Sequence, residues 1–208
     1  MHAIITDGSI SKIINHPKPL VIGDVQYPAR IFSAWTASEL AAIGIYEITF
    51  DNSKKKDEKY YINTNQTFTY DADAGTVTAT YGDATAKAHA DTLFTAQDET
   101  DGKGTEGEVK VEGLKTILIR TLKQQVAGEL SKTDWYITRN TEKSTAIPSA
   151  ISTHRDAVRT KQAEMETAIT NASDTPALET LYTYVNTADE GDPVVMERPL
   201  GEFPVLGS

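Results

Sequence analysis

The residues of this 208-residue chain whose types could do chemistry are few: four histidines (His2, His16, His89 and His154), the run Asp71-Ala72-Asp73-Ala74-Gly75, and the run Gly102-Lys103-Gly104-Thr105. Alternate carboxylates followed by glycine begin a calcium loop, which places hard oxygen ligands at alternate positions and glycine sixth. Here Gly75 falls fifth and no Glu closes the loop, so the run reads as a hairpin tip. A phosphate-binding loop needs Gly-x-x-x-x-Gly-Lys-Ser/Thr between a buried strand and a helix. Lys103 instead precedes the second glycine, and the acidic flanks would repel phosphate. The histidines lack metal-ligand spacing; His16 beside Pro17 reads as a turn residue, and His154 as a helical neighbour of Arg155. A Ser/His/Asp triad assembles only in space and stays open, but no Gly-x-Ser-x-Gly elbow anchors one. There is no cysteine, which excludes disulfides and thiolate sites. The expectation is a non-enzymatic chain with no catalytic residue, no metal and no cofactor.

Distinctive side chains gather elsewhere, at Thr133-Asp134-Trp135-Tyr136, Arg139, Ile147-Pro148, His154-Arg155 and Arg159. The stretch reads as the corner of a helical hairpin: a helix runs into a Trp-marked junction, a polar loop follows, and Pro148 opens a second helix. Arg155 and Arg159 lie one helical turn apart. One reading pairs them with acidic neighbours such as Asp156 or Asp134. The sharper one makes them a clamp on the Asp134-Trp135 corner, with the Trp135 ring buried between the helices.

The elements that must position this corner follow from periodicity. Leu114, Leu118, Leu122, Val126 and Leu130, joined by Ile117, form one stripe on a helix of roughly 20 residues. Ile151, Val158, Met165, Ala168, Ile169 and Ala172 form another on a helix from Pro148 to Ala172, and a short third helix starts at Pro176. The first stripe suits an intramolecular hairpin or a trimeric bundle equally, so a homo-oligomer is one expectation.

Residues 1–96 read as β-rich. Strands are expected around the Asp7-Gly8 turn, over 20–25, 45–50, 60–70 and 76–81. Thr36-Ala37-Ser38-Glu39 reads as a capping box opening a helix that ends at Gly44. Residues 97–108 are nearly free of apolar groups and read as an acidic linker. The helical hairpin spans 109–188. An extended segment, 189–208, closes the chain with prolines at 193, 199 and 204 among Val195, Met196, Leu200, Phe203, Val205 and Leu206. Such a segment lies in a groove of a partner, lies on its own domain, or stays disordered. The fold class is thus α+β: a β-rich N-terminal domain, a linker, a C-terminal helical hairpin and an extended tail.

A formal net charge of −10 argues against a nucleic-acid backbone binder and against docking on an anionic membrane. No apolar run reaches the roughly 20 residues of a membrane span, and the start of the chain carries no export signal. A soluble, intracellularly made protein is expected.

The run from Leu130 through Thr133-Asp134-Trp135-Tyr136, Arg139, Ile147-Pro148, His154-Arg155 and Val158-Arg159 resembles a C-terminal helical pattern of tailed-bacteriophage proteins, the tail-assembly chaperones and tail-fibre-associated proteins. The resemblance covers Leu118 to Met165. His154 departs from it, standing where the pattern carries an aromatic. The resemblance implies a protein–protein interaction role with other phage tail or tail-fibre proteins, in the virion or in the host cytoplasm during assembly. The alternatives are a transient assembly chaperone and a carbohydrate-binding domain using Tyr60, Tyr61, Tyr70 and Tyr81. Interface positions are expected at Trp135, Tyr136, Arg155 and Arg159, with Val195, Met196, Leu200, Phe203, Val205 and Leu206 as a docking arm.

Overall fold

The computed structural model describes residues 1–207. The protein is α+β and divides into two compact units, Met1–Thr85 and Ala86–Ser208. The division expected at residue 96 therefore falls eleven residues earlier, after Thr85.

In the first unit β1 (His2–Thr6) and β2 (Ser9–Ile14) form the hairpin foreshadowed by Asp7-Gly8. Thr6 faces Ser9, and φ angles of 50° at Asp7 and 74° at Gly8 supply the left-handed turn. The 20–25 stretch is not one strand but a second hairpin, β3 (Leu20–Ile22) with β4 (Val25–Tyr27). A short helix without a sequence signal, α1 (Ile31–Ala34), precedes α2 (Ala37–Ala42). The capping box is present: Thr36 N donates to Glu39 Oε2 at 2.7 Å and Glu39 N to Thr36 Oγ1 at 3.3 Å. Those bonds hold the Glu39 carboxyl below its ordinary pKa.

Five further strands follow: β5 (Ile45–Asp51), β6 (Tyr61–Ile62), β7 (Thr67–Asp71), β8 (Thr76–Thr80) and β9 (Thr85–Ala86). The main sheet has the order β2-β1-β5-β8-β7, antiparallel except for the parallel β5–β8 pair. Its two faces separate by period-two alternation. Ala3, Ile48, Val77 and Ala79 bury on one face with Ile5, Phe68 and Tyr70 packed round them. Ile4, Ile14 and Ile45 bury on the other against Ile31 of α1 and Leu40 of α2. At the β7–β8 tip Asp71 Oδ1 accepts from Asp73 N and Ala74 N, both at 3.0 Å, so this carboxylate closes the turn.

The second unit opens with β10 (Thr92–Leu93), α3 (Ala96–Thr100) and β11 (Val109–Val111), β10 pairing with β11. The acidic stretch 97–108 is thus folded, not a linker. Thr95 and Asp98 form a second capping box on α3, and Lys110 Nζ reaches Asp98 Oδ1 at 2.8 Å. The loop packs so closely on Phe94 that a Cβ on Gly104 would stand 2.6 Å from its ring. The segment lacks apolar groups because Phe94, just outside it, supplies them.

The helices are α4 (Leu114–Ser131), α5 (Asp134–Lys143), α6 (Ser149–Asn171) and α7 (Thr175–Tyr182), and the ribbon β12 (Val185–Asn186)–β13 (Met196–Glu197) follows. No helix among the described residues is long and apolar enough to cross a membrane.

Gly44 has φ +78°, its carbonyl accepts from Ile5 N at 2.8 Å, and an added Cβ would lie 2.7 Å from Ile5 O. Gly44→Ala is expected to destabilise the protein by about 1–3 kcal/mol. Urea unfolding measures this, and a loss under about 0.5 kcal/mol, the scale of an ordinary surface change, would contradict the packing.

Candidate functional site

The helical corner is built on two long rods whose stripes were legible. Leu114, Leu118, Leu122 and Val126 of α4 bury against Ile151, Val158, Met165 and Ile169 of α6, each contributing about 1.5–3 kcal/mol over exposure. Polar rungs fix the antiparallel register: Lys115 Nζ donates to Thr170 O at 2.7 Å, and Lys123 lies 4.0 Å from Glu166. The start of α4 has no side-chain cap of its own, since its N-cap is Gly113. Asp91 supplies one from a distance, accepting from Gly113 N at 2.7 Å and Thr116 Oγ1 at 2.8 Å. Its pKa is lowered first by the Gly113 amide and then by the Thr116 hydroxyl. A Cβ at Gly113 would sit 2.3 Å from the Ala90 carbonyl, so no other residue fits there.

At the far end Arg155 occupies a position in the apolar stripe of α6 and is buried. Its Nη1 lies 2.8 Å from Leu130 O, 2.7 Å from Thr133 Oγ1 and 2.8 Å from Asp134 Oδ1. Leu130 O is a carbonyl in the last turn of α4, where it also accepts from Thr133 N at 3.1 Å, and Asp134 begins α5. One guanidinium therefore ties two helix ends to a third helix. Thr133, 2% exposed, completes the knot by donating from Oγ1 to Leu130 O at 3.0 Å. The corner run of the sequence includes Thr133 without a role for it; a β-branched hydroxyl opposite an arginine in the facing stripe is the available signal.

Three expectations for the corner need correction. Residues 134–143 are the helix α5, not a loop. Trp135 is not wedged between the rods; it is 52% exposed, because the first turn of α5 points it away from the α4–α6 seam that Thr133 fills. Arg159 does not clamp the corner either: it is exposed and pairs with Asp156, 3.1 Å away on its own helix. The Trp135 ring stacks at 3.9 Å between centroids on half-buried Tyr136, and the Arg139 guanidinium lies 5.8 Å from it. An indole braced on two sides and open on the third faces solvent.

The closing segment separates into parts. Val195 and Met196 are exposed on the β12–β13 ribbon, and Leu200 is buried. Phe203, Val205 and Leu206 line a cavity of about 300 Å³ together with Thr133 and His154. The segment docks on its own unit. Arg198 organises the turn, lying 5.7 Å from the Tyr182 ring and 5.5 Å from that of Tyr184 while its Nε reaches Glu202 at 2.8 Å.

The tyrosines considered for sugar stacking are not exposed. Tyr60 and Tyr61 are buried, and Tyr70 is half-buried with its hydroxyl on that of Tyr46 at 3.3 Å. Among the described residues no group of three His, Asp or Glu side chains is placed to hold a metal. No family model, no curated protein and no solved structure matches the chain.

Because Asp134 is exposed, its own share of the knot is under about 1 kcal/mol, whereas losing Arg155 removes a packed stem and the charged donor shared by Leu130 O and buried Thr133 Oγ1. Arg155→Ala is expected to cost about 2–3 kcal/mol in urea unfolding and Trp135→Ala about 1 kcal/mol, the scale of its packing on Tyr136 and Arg139; a larger loss for Trp135 than for Arg155 would contradict the geometry. Lys110, then the Thr95 amide, lower the Asp98 pKa from 3.8 to about 2. A depressed carboxylate stabilises the fold above its unfolded pKa and loses that contribution as pH falls towards the folded one. Asp98→Asn should flatten the fall of stability between pH 4 and about 2 in an acid titration followed by circular dichroism.

Proposed function

We propose that this chain is a non-enzymatic protein–protein interaction component of a tailed-phage tail, working as a structural or adaptor protein beside other tail or tail-fibre proteins. The observation that carries the reading is the half-exposed Trp135, braced by Tyr136 and Arg139 on a corner that buried Arg155 holds rigid. Trp, Tyr and Arg are the side chains that dominate binding at protein interfaces, and they do so best from a preorganised support. The resemblance of residues 118–165 to tail-associated proteins supplies the setting. Residence would be in the virion tail, or in the host cytoplasm during assembly. No other macromolecule class is favoured: the net charge of −10 opposes nucleic acid, and of the four tyrosines weighed for sugar stacking Tyr60 and Tyr61 are buried and Tyr70 and Tyr81 half-buried.

Purified particles of the phage or prophage that encodes the chain test this. The expected result is the chain at fixed copy number, with incorporation reduced at least about tenfold by Trp135→Ala, the scale of one lost hot-spot contact. Absence from particles, with capture of a tail or fibre protein from infected cells, would establish the chaperone alternative. Absence from both overturns the reading.

A further inference from the structure

Two exposed surfaces of the second unit are opposites in charge. The outer side of α4 carries Thr116, Ile119, Arg120, Lys123, Gln124 and Ala127 around an open groove of about 500 Å³. Helical spacing sets these residues on one side, away from the stripe that faces α6. Ile119 and Ala127 give the groove apolar surface, and its charges are cationic in a chain of formal net charge −10. Arg120 gives one nitrogen to Glu112 at 2.6 Å, and Lys123 stands 4.0 Å from Glu166, so both keep donors for a further anion. The opposite surface is the β12–β13 ribbon. Val194, Val195 and Met196 are 69%, 47% and 52% exposed on it. Asp189, Glu190, Asp192 and Glu197 stand in solvent with no ion pair among the described residues. No Lys or Arg lies between Thr183 and Glu197. The other acidic run, 97–108, commits Asp98 to Lys110 and Asp101 to Lys103. The ribbon is a shaped arm: Thr187 N donates to Val195 O at 2.8 Å, and Val195 N to Asn186 Oδ1 at 3.0 Å.

We propose that copies of this chain associate head to tail, the acidic, apolar ribbon of one copy lying along the cationic outer side of α4 of the next. Charge complementarity selects the occupant: the uncommitted carboxylates of the ribbon meet Arg120 and Lys123, and like surfaces repel. Val194 and Met196 alternate onto one face of the ribbon, and Ile119 and Ala127 are the apolar surface they would cover. Both surfaces are open in a single chain, so the contact buries apolar area that folding leaves in water. A two-stranded ribbon is marginal by itself, and docking supports it. The two surfaces differ, so the contact is heterologous and repeats, giving a ring where the rotation closes and an open string where it does not. Both are small, so association is weak and sensitive to salt. Neither includes Trp135, and head-to-tail association stands apart from the tail assignment.

Charge swaps in the full chain test this by sedimentation. At about 50 mM salt the unmodified chain should self-associate with a dissociation constant on the order of 100 µM. One variant carries Arg120→Glu with Lys123→Glu; the other carries Asp189→Lys, Glu190→Lys and Asp192→Lys. Each alone should self-associate at least about tenfold more weakly than the unmodified chain. Mixed, the two again present opposite charges, and association should return to within about threefold of the unmodified value. A chain that stays monomeric at about 300 µM and about 50 mM salt overturns the proposal. So does association indifferent to either charge set, and so do two folded variants that stay monomeric on mixing. All five exchanged residues are exposed, and circular dichroism checks each fold. If a charge variant fails to fold, Val194→Ser with Met196→Ser replaces it: self-association should weaken at least about tenfold, and an unchanged constant overturns the contact.

Discussion

A buried guanidinium needs acceptors, and the way Arg155 finds them shapes the second unit. Arginine cannot shed its charge, so a stripe position on α6 becomes tolerable only where oxygens converge on it. The last turn of α4 offers the Leu130 carbonyl, Thr133 a hydroxyl, and Asp134 a carboxylate. Satisfying Arg155 therefore fixes where α4 stops, where α5 starts, and how both meet α6. With Thr133 filling the seam, the residue two positions on has no room inward, and Trp135 faces water.

That displacement changes what the corner can do. A tryptophan in the seam would be one more core residue; a tryptophan braced by Tyr136 and Arg139 on the outside is a preorganised contact. The apolar residues of the closing segment repeat the theme at the same corner, partly seated and partly exposed. The first unit shows a different economy. Its sheet buries both faces, one of them around Ala3 and Ala79, and its tyrosines go into packing. Aromatic content alone separates neither case, since a ring is sticky only where its surroundings leave it uncovered.

Local features are legible in the sequence because local physics sets them. The Asp7-Gly8 turn, the Thr36–Glu39 box, the Asp71–Gly75 tip and the stripe of α4 each depend on residues within one or two turns of one another. The fold of the acidic stretch 97–108 is not legible there for the complementary reason. Counting apolar groups inside it misses Phe94 and Lys110 on either side, and these supply the packing surface and the counter-charge. Arg155 was named as a clamp, while Arg159, one turn on, was included by proximity in sequence and turned out to face solvent.

By itself the sequence determined the α+β class, the lengths and facing stripes of the long helices, the turn at Asp7-Gly8, and the absence of thiol chemistry, because periodicity, capping and composition act over short separations. Tertiary structure alone decided the parallel pairing of β5 with β8, the capping of α4 by Asp91, and the lie of the closing segment on α6. It also decided that Thr133, not Trp135, fills the seam. Each of those outcomes is a competition between distant groups for one acceptor or one volume, and only the folded chain brings the competitors together.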